Sequence, residues 1–293
     1  MAAAPLPAAR LRVPRSVEQV GKLTRYQLRE YLRSRRFVAL LGIVLAIGAI
    51  LTTVVAYFRN SLSTLVSNNL AFYGTFWGGG VDIVIVLSAV FFGGDAIAGE
   101  FQNKTGYFLM ALPVRRATVY VGKFIAAFAA SLAMLGVYLA LLLGNGAYYL
   151  HGNALPWQLG LSLLLAIVYL GAVLGATFLF SSLFKTSAYG FVLTAILFLC
   201  GFTLLEDLVV ALVKIEPWMV ISYAESTIGG VFSTSINWGI HPTVATSTMT
   251  VGRRMVTTTT YTAGILEGIL IMIGYLVATA AAGLALFERE EFS

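Results

Sequence analysis

Two acidic residues lie inside long apolar stretches of the sequence, Asp82 in WGGGVDIVIV and Glu267 in GILEGILIM. An ionisable side chain at membrane depth is energetically costly and usually faces a bundle interior or a water-filled path. Asp82 and Glu267 are therefore candidates for lining a translocation path, where they would favour a cationic or amphipathic substrate. The alternative is that both carboxylates reach the outer membrane interface or bond neighbouring hydroxyls.

Residue patterns that could perform catalysis or bind a metal are sparse. His151 and His241 belong to no HExxH pattern, and Cys200 is the only cysteine, so no disulfide within the chain and no cysteine metal cluster can form. The stretch GEFQNKT approaches the phosphate-binding pattern GxxxxGK[ST], but Asn103 stands where glycine is required and the spacing is one residue short. The sequence predicts no catalytic site, no metal site and no nucleotide-binding domain.

The composition is that of an integral membrane protein. Of 293 residues, 59% are hydrophobic and only 11% are charged, whereas about a quarter of a soluble domain is charged. A helix needs about 20 apolar residues to cross a bilayer. Six segments meet this requirement, at about residues 37–58, 75–92, 118–143, 158–184, 188–205 and 261–287. We therefore predict an all-α polytopic membrane protein with six transmembrane helices, divided into an N-terminal region 1–36 and a transmembrane domain 37–293.

The distribution of the basic residues predicts the orientation in the membrane. Six spans place both termini on one side, and all but four of the 19 basic residues fall on that side. The exceptions are Arg59, Lys214, Arg253 and Arg254. Because Lys and Arg are costly to translocate, the basic side is the cytoplasm. We expect a multi-pass protein of the plasma membrane with both termini cytoplasmic. Its surroundings are the lipid bilayer, and we expect no nucleic-acid partner.

Two segments outside the spans have a recognisable pattern. Residues 17–36 predict an amphipathic helix on the membrane surface, because cations recur at helical spacing on one face. These cations include Lys22, Arg25, Arg29 and Arg33. An ordinary juxtamembrane anchor would explain this pattern equally well. On the opposite side, the external segment 206–260 begins with an apolar stretch broken by Lys214, Glu216 and Pro217, which favours short interfacial or re-entrant helices. Its later part is rich in threonine and predicts a small hairpin.

The inner loop of residues 93–117 predicts a short amphipathic helix parallel to the membrane. Ile97, Phe101, Phe108 and Leu112 recur at helical spacing, and Pro113 ends the helix because it lacks an N–H donor. Both ends of the loop join directly to spans. Such an element can pass a push from outside the membrane into the bilayer.

The inner loop resembles the signature of the ABC type-2 permeases, the membrane subunits of ATP-driven transporters. The family pattern is a Glu, Gly-Thr four and five residues later, Pro at thirteen, and Gly-Lys nine and ten residues beyond the proline. The chain carries this pattern at Glu100, Thr105, Pro113, Gly122 and Lys123. Val114 and Arg116 suit the usual P-V-x-R. Lys104 departs from the pattern, because glycine is usual there and the chain has its glycine at Gly106.

The resemblance implies a mechanism and a set of partners. Two permease subunits, identical or related, would form the translocation path, and two ABC ATPase subunits beneath them would bind ATP and Mg²⁺, which this chain would not bind. The direction implied is export. The resemblance, with the short second inner loop, assigns ATPase coupling to Asp95, Glu100, Thr105, Pro113, Arg116, Gly122, Lys123 and Lys185. It makes the helix with Lys22, Arg25, Arg29 and Arg33 the connecting helix.

Three other functions compete with this reading. A self-contained secondary transporter or channel would use Asp82 and Glu267, although no internal repeat of the kind found in many such transporters is visible. A structural anchor could recruit an ATPase for work other than transport. An intramembrane enzyme has no supporting constellation of residues. The fold does not select a substrate.

Overall fold

The computed structural model describes residues 16–57, 68–102, 114–150, 155–184, 186–233, 235–251 and 254–289. Within these residues, six helical segments are long and apolar enough to cross a membrane, and we number them spans 1 to 6. They are Arg35–Tyr57, Asn69–Gln102, Arg116–Tyr149, Trp157–Leu183, Ser187–Leu212 and Ile265–Arg289. The predicted all-α polytopic architecture with six spans is confirmed.

Spans 2 and 5 are each built from more than one helix. In chain order, the helices are α1 Ser16–Arg33, α2 Arg35–Tyr57, α3 Asn69–Gly78, α4 Val81–Gly93, α5 Ala98–Gln102, α6 Arg116–Tyr149, α7 Trp157–Leu183, α8 Ser187–Ile196, α9 Phe202–Leu212, α10 Ile221–Gly230 and α11 Ile265–Arg289. A π-helical turn, Leu197–Gly201, joins α8 to α9 within span 5. The antiparallel strands β1, Thr243–Val251, and β2, Arg254–Thr262, form the predicted hairpin.

The bundle has two ends, which we name by their contents. The terminal end contains α1, α5, the start of span 3 and the last turn of span 6. The distal end contains α10, the hairpin and the start of span 6. A side-chain contact from Arg116 to the backbone of Phe287 joins the start of span 3 to the end of span 6, consistent with antiparallel spans.

Spans 2 and 4 form the centre of the bundle. In their apolar parts, 72% of span 2 and 67% of span 4 are buried, compared with 6% of span 5. Glycine lets span 6 approach span 4 closely, since a Cβ on Gly175 would lie 3.3 Å from the Leu276 carbonyl oxygen. Spans 2 and 4 therefore supply the frame on which the more exposed spans pack.

Span 2 is broken near the distal end by a turn at Gly79 and Gly80. The Tyr138 hydroxyl of span 3 donates a hydrogen bond to the Phe76 carbonyl at 2.5 Å, so a backbone acceptor next to the break is satisfied. A Cβ on Gly80 would lie 2.7 Å from that hydroxyl, which explains why glycine is required there. The break places Asp82 in the first turn of α4.

Span 2 begins earlier and span 3 ends later than the hydropathy pattern predicts. Span 2 starts at Asn69 rather than near residue 75, because the Asn68 side chain caps the helix by accepting from the Leu70 amide at 2.9 Å. Span 3 continues to Tyr149 rather than ending near residue 143, and Asn145 within this extension donates to the Leu141 carbonyl at 2.8 Å.

The predicted external segment 206–260 also has different limits. Helix α9 carries span 5 through Glu206 to Leu212, because the Ser222 hydroxyl donates to the Glu206 carboxylate at 2.5 Å and offsets the cost of an acid there. Span 6 begins at Ile265 rather than at residue 261, because Tyr261 is paired with Val244 in the hairpin. The stretch 208–224, for which short interfacial or re-entrant helices were predicted, contains the end of α9 and the first residues of α10.

Candidate functional site

The signature residues Glu100 and Lys123, separated by 23 positions in the chain, contact each other at the terminal end. They form an ion pair between α5, at the end of span 2, and α6 of span 3. The Lys123 ammonium also donates to the Ala96 carbonyl at 2.7 Å, and Lys123 is only 5% exposed. A buried lysine requires such partners, because an uncompensated charge in a low-dielectric interior is costly. The pair therefore fixes the start of the inner loop against span 3.

The beginning of α5 is tied to span 4 by a single serine. The Ser181 hydroxyl oxygen accepts hydrogen bonds from the backbone amides of Ile97 and Ala98, both at 3.1 Å. The first amides of a helix have no intrahelical partner, so this side chain caps α5 from a neighbouring span. At the other end of α5, Gln102 accepts from the Ser187 amide at 3.0 Å and from its hydroxyl at 2.6 Å. Helix α5 is thereby connected to spans 4 and 5.

Two further polar contacts connect this region to spans 1 and 6. Asp95 pairs with Arg36 at the start of span 1. Because the Arg36 side chain is 53% exposed, this pair is expected to contribute less than about 1 kcal/mol to stability. Arg116 donates to the Phe287 carbonyl at 3.3 Å and to the Glu288 carbonyl at 2.9 Å, where it caps the end of α11.

The glycine of the signature accommodates α1. A Cβ on Gly122 would lie 2.8 Å from a terminal carbon of Leu23, and the Thr24 hydroxyl donates to the Gly122 carbonyl at 3.1 Å. Tyr31 is also buried, with its ring 5.4 Å from that of Phe92. Part of the apolar face of α1 therefore packs against protein, whereas the expectation from the sequence was a face buried among lipid headgroups. The four cations Lys22, Arg25, Arg29 and Arg33 are exposed.

Several predicted coupling residues lie outside the described residues, namely Thr105, Pro113 and Lys185. The described members of the set come together as one layer at the terminal end. Glu100 and Lys123 form an ion pair, and Gly122 packs against α1. Asp95 contacts span 1, and Arg116 contacts span 6. Together with Arg36, Ser181 and Gln102, these residues form what we call the coupling layer. It connects span 2 to spans 1, 3, 4 and 5, and span 3 to span 6.

The acidic residues Asp82 and Glu267 lie near the distal end, but they belong to separate sets of contacts. Asp82 accepts from the Ile83 backbone amide in the first turn of α4. Glu267, in the first turn of α11, accepts from the Gly264 amide at 3.2 Å and from the Tyr223 hydroxyl at 3.2 Å. Both positions suit an acid, because the amino end of a helix carries partial positive charge. The hydroxyl contact of Glu267 agrees with the alternative that these acids bond neighbouring groups.

A third carboxylate, which sequence reasoning missed, lies close to this region on α10. Burial, together with the negative charge of Asp82, raises the pKa of Glu225 to about 8. The Tyr169 hydroxyl of span 4 donates to Glu225 at 3.2 Å. In the part of the chain that the structure describes, no group of three or more His, Cys, Asp or Glu residues is arranged to hold a metal ion.

Sequence reasoning also missed Ser181 and Arg36 as members of the coupling layer. A serine in an apolar span gives little signal, and its role depends on a contact with residues 84 positions away. Arg36 belongs to the basic run before span 1, where it cannot be distinguished from its neighbours. Glu225 could have been considered because it is an acid that directly follows the mostly apolar stretch WMVISYA.

A family profile described as ABC-2 family transporter protein matches residues 23–292. The match includes most of α1, all six spans and the coupling layer. A comparison with curated proteins found no match. Because the family profile spans far more than half of the sequence, the chain belongs to the ABC-2 transporter family and is a multi-pass membrane permease subunit.

Proposed function

We propose that the chain forms the translocation path of an ATP-binding cassette exporter and is driven by a separate ATPase that docks at the inner loop. The observation that carries this proposal is the buried Glu100–Lys123 pair, which attaches the beginning of the inner loop to the bundle. A loop attached in this way transmits displacement. A loop joined only by flexible linkers would absorb it.

The other contacts of the coupling layer support the same function. Force applied to α5 would reach span 4 through Ser181 and span 5 through Gln102. Interfaces between packed helices switch between discrete arrangements rather than deform continuously, so a displacement here can repack the whole bundle. Thr105, Pro113 and Lys185 are proposed members of the docking surface by resemblance.

The terminal end is proposed to face the cytoplasm. The exposed cations of α1 suit the anionic inner surface of a plasma membrane. Two ATPase subunits, which bind ATP and Mg²⁺, would dock there, and a second permease subunit, identical or related, would complete the path. In this arrangement, residues 1–36 form the N-terminal region with the connecting helix, residues 37–293 form the transmembrane domain, and Asp82 and Glu267 line the distal part of the path.

Docking is best tested away from Glu100, because loss of a partner in a buried pair would also affect folding. We expect Pro113→Ala to reduce copurification of the ATPase subunit about tenfold, equivalent to about 1.4 kcal/mol of binding free energy. The measurement is quantitative pull-down of the ATPase with the tagged chain from detergent-solubilised membranes.

The control is Pro156→Ala, which changes the proline that precedes span 4 at the distal end. This variant should retain normal copurification and membrane insertion. Equal recovery of the ATPase with both variants would refute docking at the inner loop.

A further inference from the structure

Helix α10 is held at the distal end by contacts between hydroxyls and carboxyl groups. The Ser222 hydroxyl donates to Glu206 of span 5 at 2.5 Å. The Tyr169 hydroxyl of span 4 donates to Glu225 of α10 at 3.2 Å. A short helix of ten residues is thus fastened to two spans by polar groups, in addition to its apolar packing.

The contact between α10 and span 6 is made by one hydroxyl group that lies close to two carboxyl groups. The Tyr223 hydroxyl lies 2.5 Å from a carboxyl oxygen of Glu216 and 3.2 Å from one of Glu267. A phenol has one proton, so it donates to only one carboxylate at a time. Both contacts are favourable together only if one of the two carboxyl groups is protonated and donates to the phenol oxygen. The arrangement therefore binds one proton at the interface between α10 and span 6.

No charged group described around α10 neutralises these two carboxyl groups in place of the bound proton. Neither of the two ion pairs formed within the described residues involves these carboxyl groups. The groups facing α10 and the loop before it are Asp82 of span 2, Tyr169 of span 4, Glu206 and Asp207 of span 5, Tyr261 of β2, Glu267 and Tyr275 of span 6, and Lys214 and Glu216 of the preceding loop. Tyr261 and Tyr275 donate to backbone carbonyls, those of Lys214 and Met219.

The pKa values of the titratable groups on α10 are raised, as expected for an interface that binds protons. Burial first, and then the hydrogen bond to Glu216, raise the pKa of Tyr223, so the phenol stays protonated. Burial raises the pKa of Glu225 from 4.5 to about 8. A raised pKa means that docked α10 binds the proton more tightly than released α10. The contribution to docking is then complete below pH 4.5 and is lost as the pH rises through about 8.

Span 5 contains a structural element that would let the attached segment move. The π-helical turn Leu197–Gly201 separates α8 from α9, and such turns often mark functional sites in helices. Helix α9, which carries Glu206, has no buried residue within the described chain. Its described polar contact with α10 is the one from Ser222. Release of α10 would therefore free the distal half of span 5 to pivot at the π turn.

We propose that α10 is a proton-operated latch at the distal end of the bundle. One proton held between Glu216 and Glu267, and a second on Glu225, keep α10 docked on the bundle. Loss of these protons places two negative charges around the single Tyr223 hydroxyl and a third on Glu225, and α10 is released. No covalent bond changes in this step, since protons move only between carboxyl groups and solvent. That the latch controls the path rests on the proposed function, whereas the proton-dependent docking of α10 does not.

The test is hydrogen–deuterium exchange of the purified chain in lipid nanodiscs without any ATPase, with rates corrected for intrinsic exchange at each pH. Between about pH 6 and pH 9, protection of the amides of α10 should fall about tenfold or more, because two carboxyl groups or more ionise. The double variant Glu216→Gln/Glu225→Gln should lose this pH dependence, since a neutral amide keeps the contact with each hydroxyl. The exposed acid of α1 supplies the control, Glu18→Gln, which should behave as the unsubstituted chain.

Tyr223→Phe provides a second test that does not depend on the double variant folding well. Removal of the shared hydroxyl should lower α10 protection at about pH 6, where the latch is closed, and should flatten the profile. Protection that is constant with pH in the unsubstituted chain, or a profile unchanged in Tyr223→Phe, would overturn the latch. Because no ATPase is present, these results are independent of whether the inner loop docks one.

Discussion

Replacing Lys123 with methionine is expected to destabilise the chain by about 3–5 kcal/mol, because it removes one charge of a buried pair. Methionine preserves most of the volume, so the effect isolates the ammonium group. The ammonium pairs with Glu100 and donates to the Ala96 carbonyl at 2.7 Å. Without it, α5 loses its attachment to span 3, and ATP-dependent transport should fall below detection.

Thermal unfolding in nanodiscs measures the change in stability, and Lys214→Met is the control. Lys214 is exposed at the distal end, so its substitution should leave the unfolding temperature nearly unchanged. Removing both charges, as in Glu100→Gln/Lys123→Met, should recover about half or more of the lost stability, because no buried charge remains without its counterion. An unchanged unfolding temperature for Lys123→Met would show that the pair does not hold the coupling layer together.

Replacing Gly122 with leucine is expected to detach α1 from span 3. Any side chain at this position enters the space of Leu23, since even a Cβ would lie 2.8 Å from one Leu23 carbon and 3.3 Å from two others. Overpacking of this kind costs about 1–3 kcal/mol, and the hydrogen bond from Thr24 to the Gly122 carbonyl would be lost as well. We expect faster proteolysis within α1 and at least about a tenfold loss of ATP-dependent transport.

The matched control lies on the same helix. A Cβ on Gly136 would meet no atom within 4 Å, so Gly136→Leu should be tolerated. Pairing Gly122→Ala with Leu23→Ala should restore the resistance of α1 to proteolysis, because the second change vacates the space that the first requires. Equal proteolysis of Gly122→Leu and Gly136→Leu would contradict close packing of α1 on span 3.

The number of spans and the hairpin could be predicted from the sequence because each depends on a local pattern. A run of about 20 apolar residues has few alternatives to a membrane span. The ends of the spans were harder to predict, because they depend on individual polar contacts. Asn68 extends span 2 by capping its first turn, and Ser222 keeps Glu206 within span 5. A hydropathy average over many residues does not register such single polar contacts.

The contacts among the proposed coupling residues could not be predicted from the sequence. The resemblance to the family signature grouped Glu100, Gly122 and Lys123 in one set. It did not indicate that Glu100 binds Lys123 or that Gly122 receives α1, since both contacts join segments that are distant in the chain. Ser181 was missed for the same reason.

The distal carboxyl groups show a different limit of sequence reasoning. Asp82 and Glu267 could be selected as candidates from the sequence because each is an isolated acid in an apolar run. Glu225 lies in a mixed segment, and its proximity to Asp82 arises only when α10 folds back onto the bundle. An isolated charge is visible in a sequence, whereas a cluster assembled from several elements is not.

The proposed function requires that an ATPase acts on the chain at the inner loop of the terminal end. Photo-crosslinking in membranes of the native host tests it directly, with the crosslinking amino acid placed at Lys104 in the inner loop or at Ile240, which is exposed at the distal end. We predict that position 104 captures a polypeptide with a GxxxxGK[ST] phosphate-binding loop and that position 240 does not. If position 104 captures no such polypeptide, or if position 240 captures it instead, the ATPase does not dock at the inner loop.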